Sequence, residues 1–128
     1  MTFQYYPQAQ SKFEIPLRLG NNVYLGDILS NHETNPENPF SAGFYKQTKG
    51  EPLKDFVYKS DEMKIILEGE VIVTDGEGKT VTGKPGDVLF FPKGKPFTFD
   101  TPDYVLAFIV IQRPPLDAPI EVRERIGY

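Results

Sequence analysis

Between Phe13 and Gln112 the chain is a succession of short apolar or alternating runs, each cut off by a turn signal. The runs are FEIPLRL (13–19), VYLGDIL (23–29), AGFYKQ (42–47), FVY (56–58), MKIILEG (63–69), EVIVTD (70–75), TVTG (80–83), VLFF (88–91), FTFD (97–100) and YVLAFIVIQ (104–112). Gly, Pro, Asn and Asp fill the gaps, notably at 20–22, 31–39, 75–78, 84–87, 92–96 and 101–103. No window keeps a 3.6-residue apolar stripe over three turns, so helix is not the organising element. Regular short strands with turn residues between them predict an all-β sandwich or barrel. Asp75-Gly76 opens a tight hairpin connection. In Lys84-Pro85-Gly86-Asp87, Pro presets φ and Gly supplies a positive one.

The 128 residues suit one domain, 1–128, with a barrel core of about 13–112 and a tail at 113–128 that forms a short helix or drapes over the surface. Ten Phe and seven Tyr supply bulk for an interior. With no Cys, disulfides, thiolate metal sites and cysteine nucleophiles are excluded. A net charge of −4, with lysines interleaved among acids, argues against a nucleic-acid partner. No apolar run approaches the roughly 20 residues of a membrane span, and the N-terminus lacks the basic and apolar regions of a signal peptide. A cytoplasmic location with no membrane partner is expected.

Two spacings then carry a resemblance. Glu62 is followed, after six residues, by Gly69; Gly86 is followed, after five, by Pro92-x-Gly94. In that order they resemble the two motifs of the cupins, small jelly-roll barrels built as a double-stranded β-helix. The phrases SAGF, SDEMKIILEGEV, KPGDVLFFPKG and VYLGDIL resemble the ethanolamine-utilisation (Q-type) cupins, over nearly the whole chain. The resemblance implies a single cupin domain that pairs as a homodimer, exchanging N-terminal strands such as FQYYPQAQSKFEI. It also implies a metal bound by three His and a Glu, and here the chain departs from it. The positions of the first His pair fall on Phe56 and Tyr58, or on Asp55 and Val57, and the third on Phe97. The only histidine, His32, is expected to be a solvated loop residue. One His cannot build a three-histidine site, so neither metal nor other cofactor is expected.

Residues two apart on a strand share a face. If Glu62 points into the barrel, Lys64 does too. An inward lysine needs a partner or loses its charge. The pair then holds an anion-binding ammonium, or yields a base or amine nucleophile. The alternatives are a structural ion pair, or a bulge that turns Lys64 to solvent. Tyr58 is a candidate acid or hydrogen-bond donor, or else a core tyrosine. Glu62, Lys64 and Tyr58 are thus the candidate catalytic residues, with Phe56, Phe97 and Phe99 as candidate substrate-binding walls. Whether Tyr45 or Lys46 faces inward is open; Asp61 is expected outside or at the rim, and Lys93 and Lys95 in solvent.

The expected function is metal-independent proton transfer on a small carbonyl or carboxylate molecule, of lyase, isomerase or cyclase type. The alternative is a non-catalytic small-molecule-binding or scaffold cupin that has lost its metal site. Acetate kinase activity, associated with the resembling family, is not carried over. The glycines at 76, 78 and 83 do not open a phosphate loop, and Lys64 stands where that family tends to have an acid.

Overall fold

The computed structural model describes residues 2–117. Ten strands follow one helical turn, α1 (Ala9–Lys12): β1 (Leu17–Leu19), β2 (Val23–Ser30), β3 (Ser41–Thr48), β4 (Leu53–Val57), β5 (Glu62–Gly69), β6 (Val71–Asp75), β7 (Thr80–Gly83), β8 (Val88–Phe91), β9 (Pro96–Asp100) and β10 (Tyr104–Ile111). They form two antiparallel sheets, one ordered β1-β2-β3-β10-β5-β8 and the other β4-β9-β6-β7. The turn-delimited runs of the sequence became strands almost one for one.

The first run is the exception. Residues 13–16 are not a strand; they cross the outer face of the larger sheet, where the Phe13 ring meets Phe44 at 5.8 Å and Phe44 meets Phe108 at 5.5 Å. A Cβ on Gly26 would lie 2.9 Å from Phe13, so glycine in VYLGDIL makes room for this cover.

The core lies between the sheets. Inward residues of β10 (Val105, Ala107, Ile109, Ile111) meet Ile66 of β5, Phe91 of β8, Val71 and Val73 of β6 and Phe99 of β9. Gln47 of β3 ties the sheets together: its Nε2 donates to the Phe99 carbonyl at 3.0 Å, and its Oε1 accepts from the Tyr45 hydroxyl at 2.5 Å. Buried polar atoms paired in this way satisfy one another rather than weaken the core. Gly69 closes the first motif at φ +73°, where a Cβ would lie 2.0 Å from the Tyr104 carbonyl oxygen. Close backbone approach at a positive φ explains why glycine is needed there.

The chain does not leave the barrel at Gln112. Arg113, buried, is held bidentately by Asp27 of β2, Nη1 to Oδ2 at 2.8 Å and Nη2 to Oδ1 at 3.0 Å. The Leu116 amide also donates to Asp27 Oδ2 at 2.8 Å. Residues 113–117 of the expected surface tail are therefore an anchored strap, and the rest of that tail, 118–128, lies outside the described residues. No helix among the described residues is long and apolar enough to cross a membrane.

Candidate active site

Alternation along β5 puts Glu62, Lys64 and Ile66 on the inner face, with Met63 turned outward. No bulge intervenes between Glu62 and Lys64; the register shift against β10 falls further on, between Leu106 and Ala107. Lys64 is 3% exposed and Glu62 4%. Lys64 Nζ lies 2.5 Å from Glu62 Oε1, and the Tyr58 hydroxyl donates to the same oxygen at 2.6 Å. Tyr58 sits one residue beyond β4, on the opposite sheet, so the three candidate residues converge from both sides of the barrel.

Aromatic faces surround the amine. Lys64 Nζ stands 4.3 Å from the centroid of Tyr45, 5.4 Å from Phe91 and 5.5 Å from Phe99. These faces favour an ammonium. Burial opposes it, and is the main reason Lys64 is held below the ordinary lysine range despite the opposing pull of Glu62. Burial, followed by the charge of Glu62 and the hydrogen bond to it, raises the Tyr58 phenol far above its usual range. Tyr58 therefore keeps its proton and orients Glu62, which makes donor, rather than general acid, the role its environment supports. Tyr45 is raised first by burial and then by Glu62 and Asp100; with its hydroxyl committed to Gln47, it offers the ring.

Beside this cluster is a cavity of about 260 Å³. Leu19, Val23, Leu25, Leu53, Phe56 and Phe99 supply much of its apolar wall, and Tyr45, Tyr58, Glu62, Lys64 and Arg113 its polar groups. The structure thus brings Glu62, Lys64, Tyr58, Phe56 and Phe99 to one cavity. Phe97 is the one candidate left out: its ring packs on Phe91 at 5.0 Å and Tyr58 at 6.1 Å, behind the wall. Tyr45 faces inward, and Lys46 lies over the Tyr24 ring at 5.8 Å. Asp61, partly buried, accepts from the Lys93 amide at 2.9 Å, and Lys93 and Lys95 are exposed.

His32 is not simply solvated. It is partly buried, its Nδ1 is enclosed without a hydrogen-bond partner among the described residues, and it does not line the cavity. Among the described residues no three His, Cys, Asp or Glu side chains converge as metal ligands. Glu62, the one ligand of the cupin metal set that the chain retains, has its Oε1 occupied by an ammonium and a phenol. That donor set does not fit a cupin metal.

Two facing antiparallel sheets, the glycine-closed motifs on β5 and after β8, and a polar cluster on the inner face of β5 define a cupin barrel. The chain belongs to the EutQ-like cupin domain family, whose model matches residues 34–106. It is 33% identical to a putative ethanolamine utilization protein Q from Salmonella typhimurium LT2, covering 70% of this chain and 68% of that one with a TM-score of 0.58. It is 26% identical to the Clostridium difficile EutQ protein, covering 75% and 70% with a TM-score of 0.60. A 45-residue stretch is 49% identical to the acetate kinase EutQ of Salmonella typhimurium, spanning 35% of this chain and only 19% of that protein.

Proposed function

We propose that the chain acts on a small carbonyl or carboxylate molecule inside the barrel by proton transfer, in a lyase, isomerase or cyclase reaction that needs no metal. The observation that carries this reading is the Glu62–Lys64–Tyr58 cluster, buried on the wall of an otherwise largely apolar cavity. A carboxylate held by two donors is a positioned base, and an adjacent cation stabilises the enolate that proton removal creates. The apolar wall excludes water from that step.

The test is exchange of the protons alpha to the carbonyl of acetone, propanal and pyruvate in D2O, followed by NMR. Wild type should exchange at least one probe about 10²-fold faster than Glu62→Gln. Equal rates overturn the proposal. A ligand that raises the melting temperature without exchanging favours the alternative, a non-catalytic binding module.

We also propose that the chain is a homodimer, its partner being a second copy. On the outer face of β5 and β8, Met63 is 41% exposed and its cross-strand neighbour Phe90 63%, with Val88 beside them at 63%. The N-terminal arm adds the exposed rings of Phe3 and Tyr5. Neighbouring exposed apolar side chains such as those on β5 and β8 mark interaction sites. Light scattering should give twice the 14.5 kDa chain mass, falling to the monomer value in Phe90→Glu. A wild-type monomer overturns this.

A further inference from the structure

The buried charges of the cavity wall are already matched, and the remaining cation of the lining, Lys59, is exposed. Arg113 is neutralised by Asp27, and Lys64 by Glu62. A carboxylate ligand drawn to Lys64 would meet Glu62 at the same place and add a buried anion with no counter-charge, which burial penalises. A neutral molecule carries no such cost, and the wall of Leu19, Val23, Leu25, Leu53 and Phe56 suits it.

The Lys64–Glu62 contact also sets what the amine can do. One proton passing from Nζ to Oε1, across 2.5 Å, turns an ion pair into an amine and a carboxylic acid with no change in net charge. The nucleophile is thereby generated without exchange with solvent, while Tyr58 keeps the carboxyl group in place. An amine sequestered in apolar surroundings beside a proton acceptor is the arrangement that condensation with a carbonyl requires.

We propose that Lys64 is a Schiff-base nucleophile and that the substrate is a small, neutral aldehyde or ketone. This rests on the proton-transfer reading of the same site and names its substrate class. Lys64 first gives a proton to Glu62. The Nζ lone pair then attacks the carbonyl carbon, the new C–N bond forms, and the oxygen takes that proton from Glu62. Glu62 next removes a second proton from nitrogen and delivers it to the hydroxyl, which leaves as water. An ammonium and a carbonyl have become an iminium and one water. Glu62 is again a carboxylate and can take a proton from the carbon next to the iminium. The buried pair carries the same charge at the start and at the end, so a neutral substrate needs no counter-ion.

The experiment is cyanoborohydride trapping on the wild-type chain with propanal, acetone and pyruvate, read by peptide mass mapping. Exposed Lys79 and Lys93 serve as internal controls for nonspecific alkylation. Lys64 should acquire the propyl or isopropyl label about ten-fold faster than either control lysine, and should take the pyruvate label no faster than they do. Labelling of the controls with Lys64 untouched overturns the proposal. If that result comes with wild-type exchange of alpha protons, the proton-transfer function stands without a covalent lysine. Pyruvate trapping at Lys64 that exceeds propanal overturns the neutral-substrate assignment. Trapping at Lys64 without alpha-proton exchange supports the covalent lysine and removes the proton transfer proposed to follow it.

Discussion

Glu62→Ala should lose about 3–5 kcal/mol of stability near neutral pH, measured by urea unfolding, because it strands a buried cation. Lys64 is 3% exposed and, among the described carboxylates, it is Glu62 that pairs with it. The sign of the pH dependence follows. Without Glu62, burial and then the Arg113 charge act on Lys64, both favouring the neutral amine, so the unfolded chain binds more protons than the folded one. Stability of the variant therefore rises with pH up to the unfolded lysine pKa of about 10.4, and its deficit against wild type shrinks over that range. The double variant Glu62→Gln with Lys64→Met should instead be neutral or more stable than wild type by about 1–4 kcal/mol. That outcome would mean the pair is retained for chemistry rather than for folding. A double variant as damaged as Glu62→Ala would assign the pair a structural role.

Asp27→Ala should be comparably damaging, again about 3–5 kcal/mol. Three donors lose an acceptor at once, both terminal nitrogens of Arg113 and the Leu116 amide, and of these Nη1 keeps the Pro114 carbonyl. Arg113 is 3% exposed and cannot reach water without moving the strap. Asp27→Asn, which keeps an acceptor oxygen, should recover part of the loss. Thermal unfolding of the two variants beside wild type checks the order. A wild-type melting temperature for Asp27→Ala would show that the strap contributes nothing to the barrel.

Turn chemistry made the strands readable. Asp75-Gly76, Lys84-Pro85-Gly86-Asp87 and Pro92-x-Gly94 end strands for local reasons that one sequence exposes, and β6, β7 and β8 have the bounds those residues imply, to within a residue. The inward pair on β5 was readable because Met63 and the other outward residues alternate with it. Alternation failed on β3, where residues 41–45 are all buried, because the segment around Phe13 covers the outer face. The choice between Tyr45 and Lys46 needed that cover to be known. Arg113 was missed altogether. Its partner, Asp27, is 86 residues away, and Arg-Pro-Pro-Leu-Asp reads locally as a turn-rich tail. Phe97 alternates correctly with Phe99, but its ring fills space behind Tyr58 instead of facing the cavity.

Most of the cavity wall is carried by side chains on strands whose backbones are committed to a ladder. The Arg113–Leu116 side is different: it lies on a segment outside every strand and is held to the barrel chiefly through one carboxylate. Changes at the Leu116 side chain, whose residue is tied to Asp27 through its backbone amide, can therefore reshape the chamber without disturbing strand pairing or the Arg113–Asp27 pair. Selectivity and foldability are, to that extent, separately adjustable in this domain, and variation in what such barrels accept has a place to accumulate that leaves the Glu62–Lys64 machinery intact.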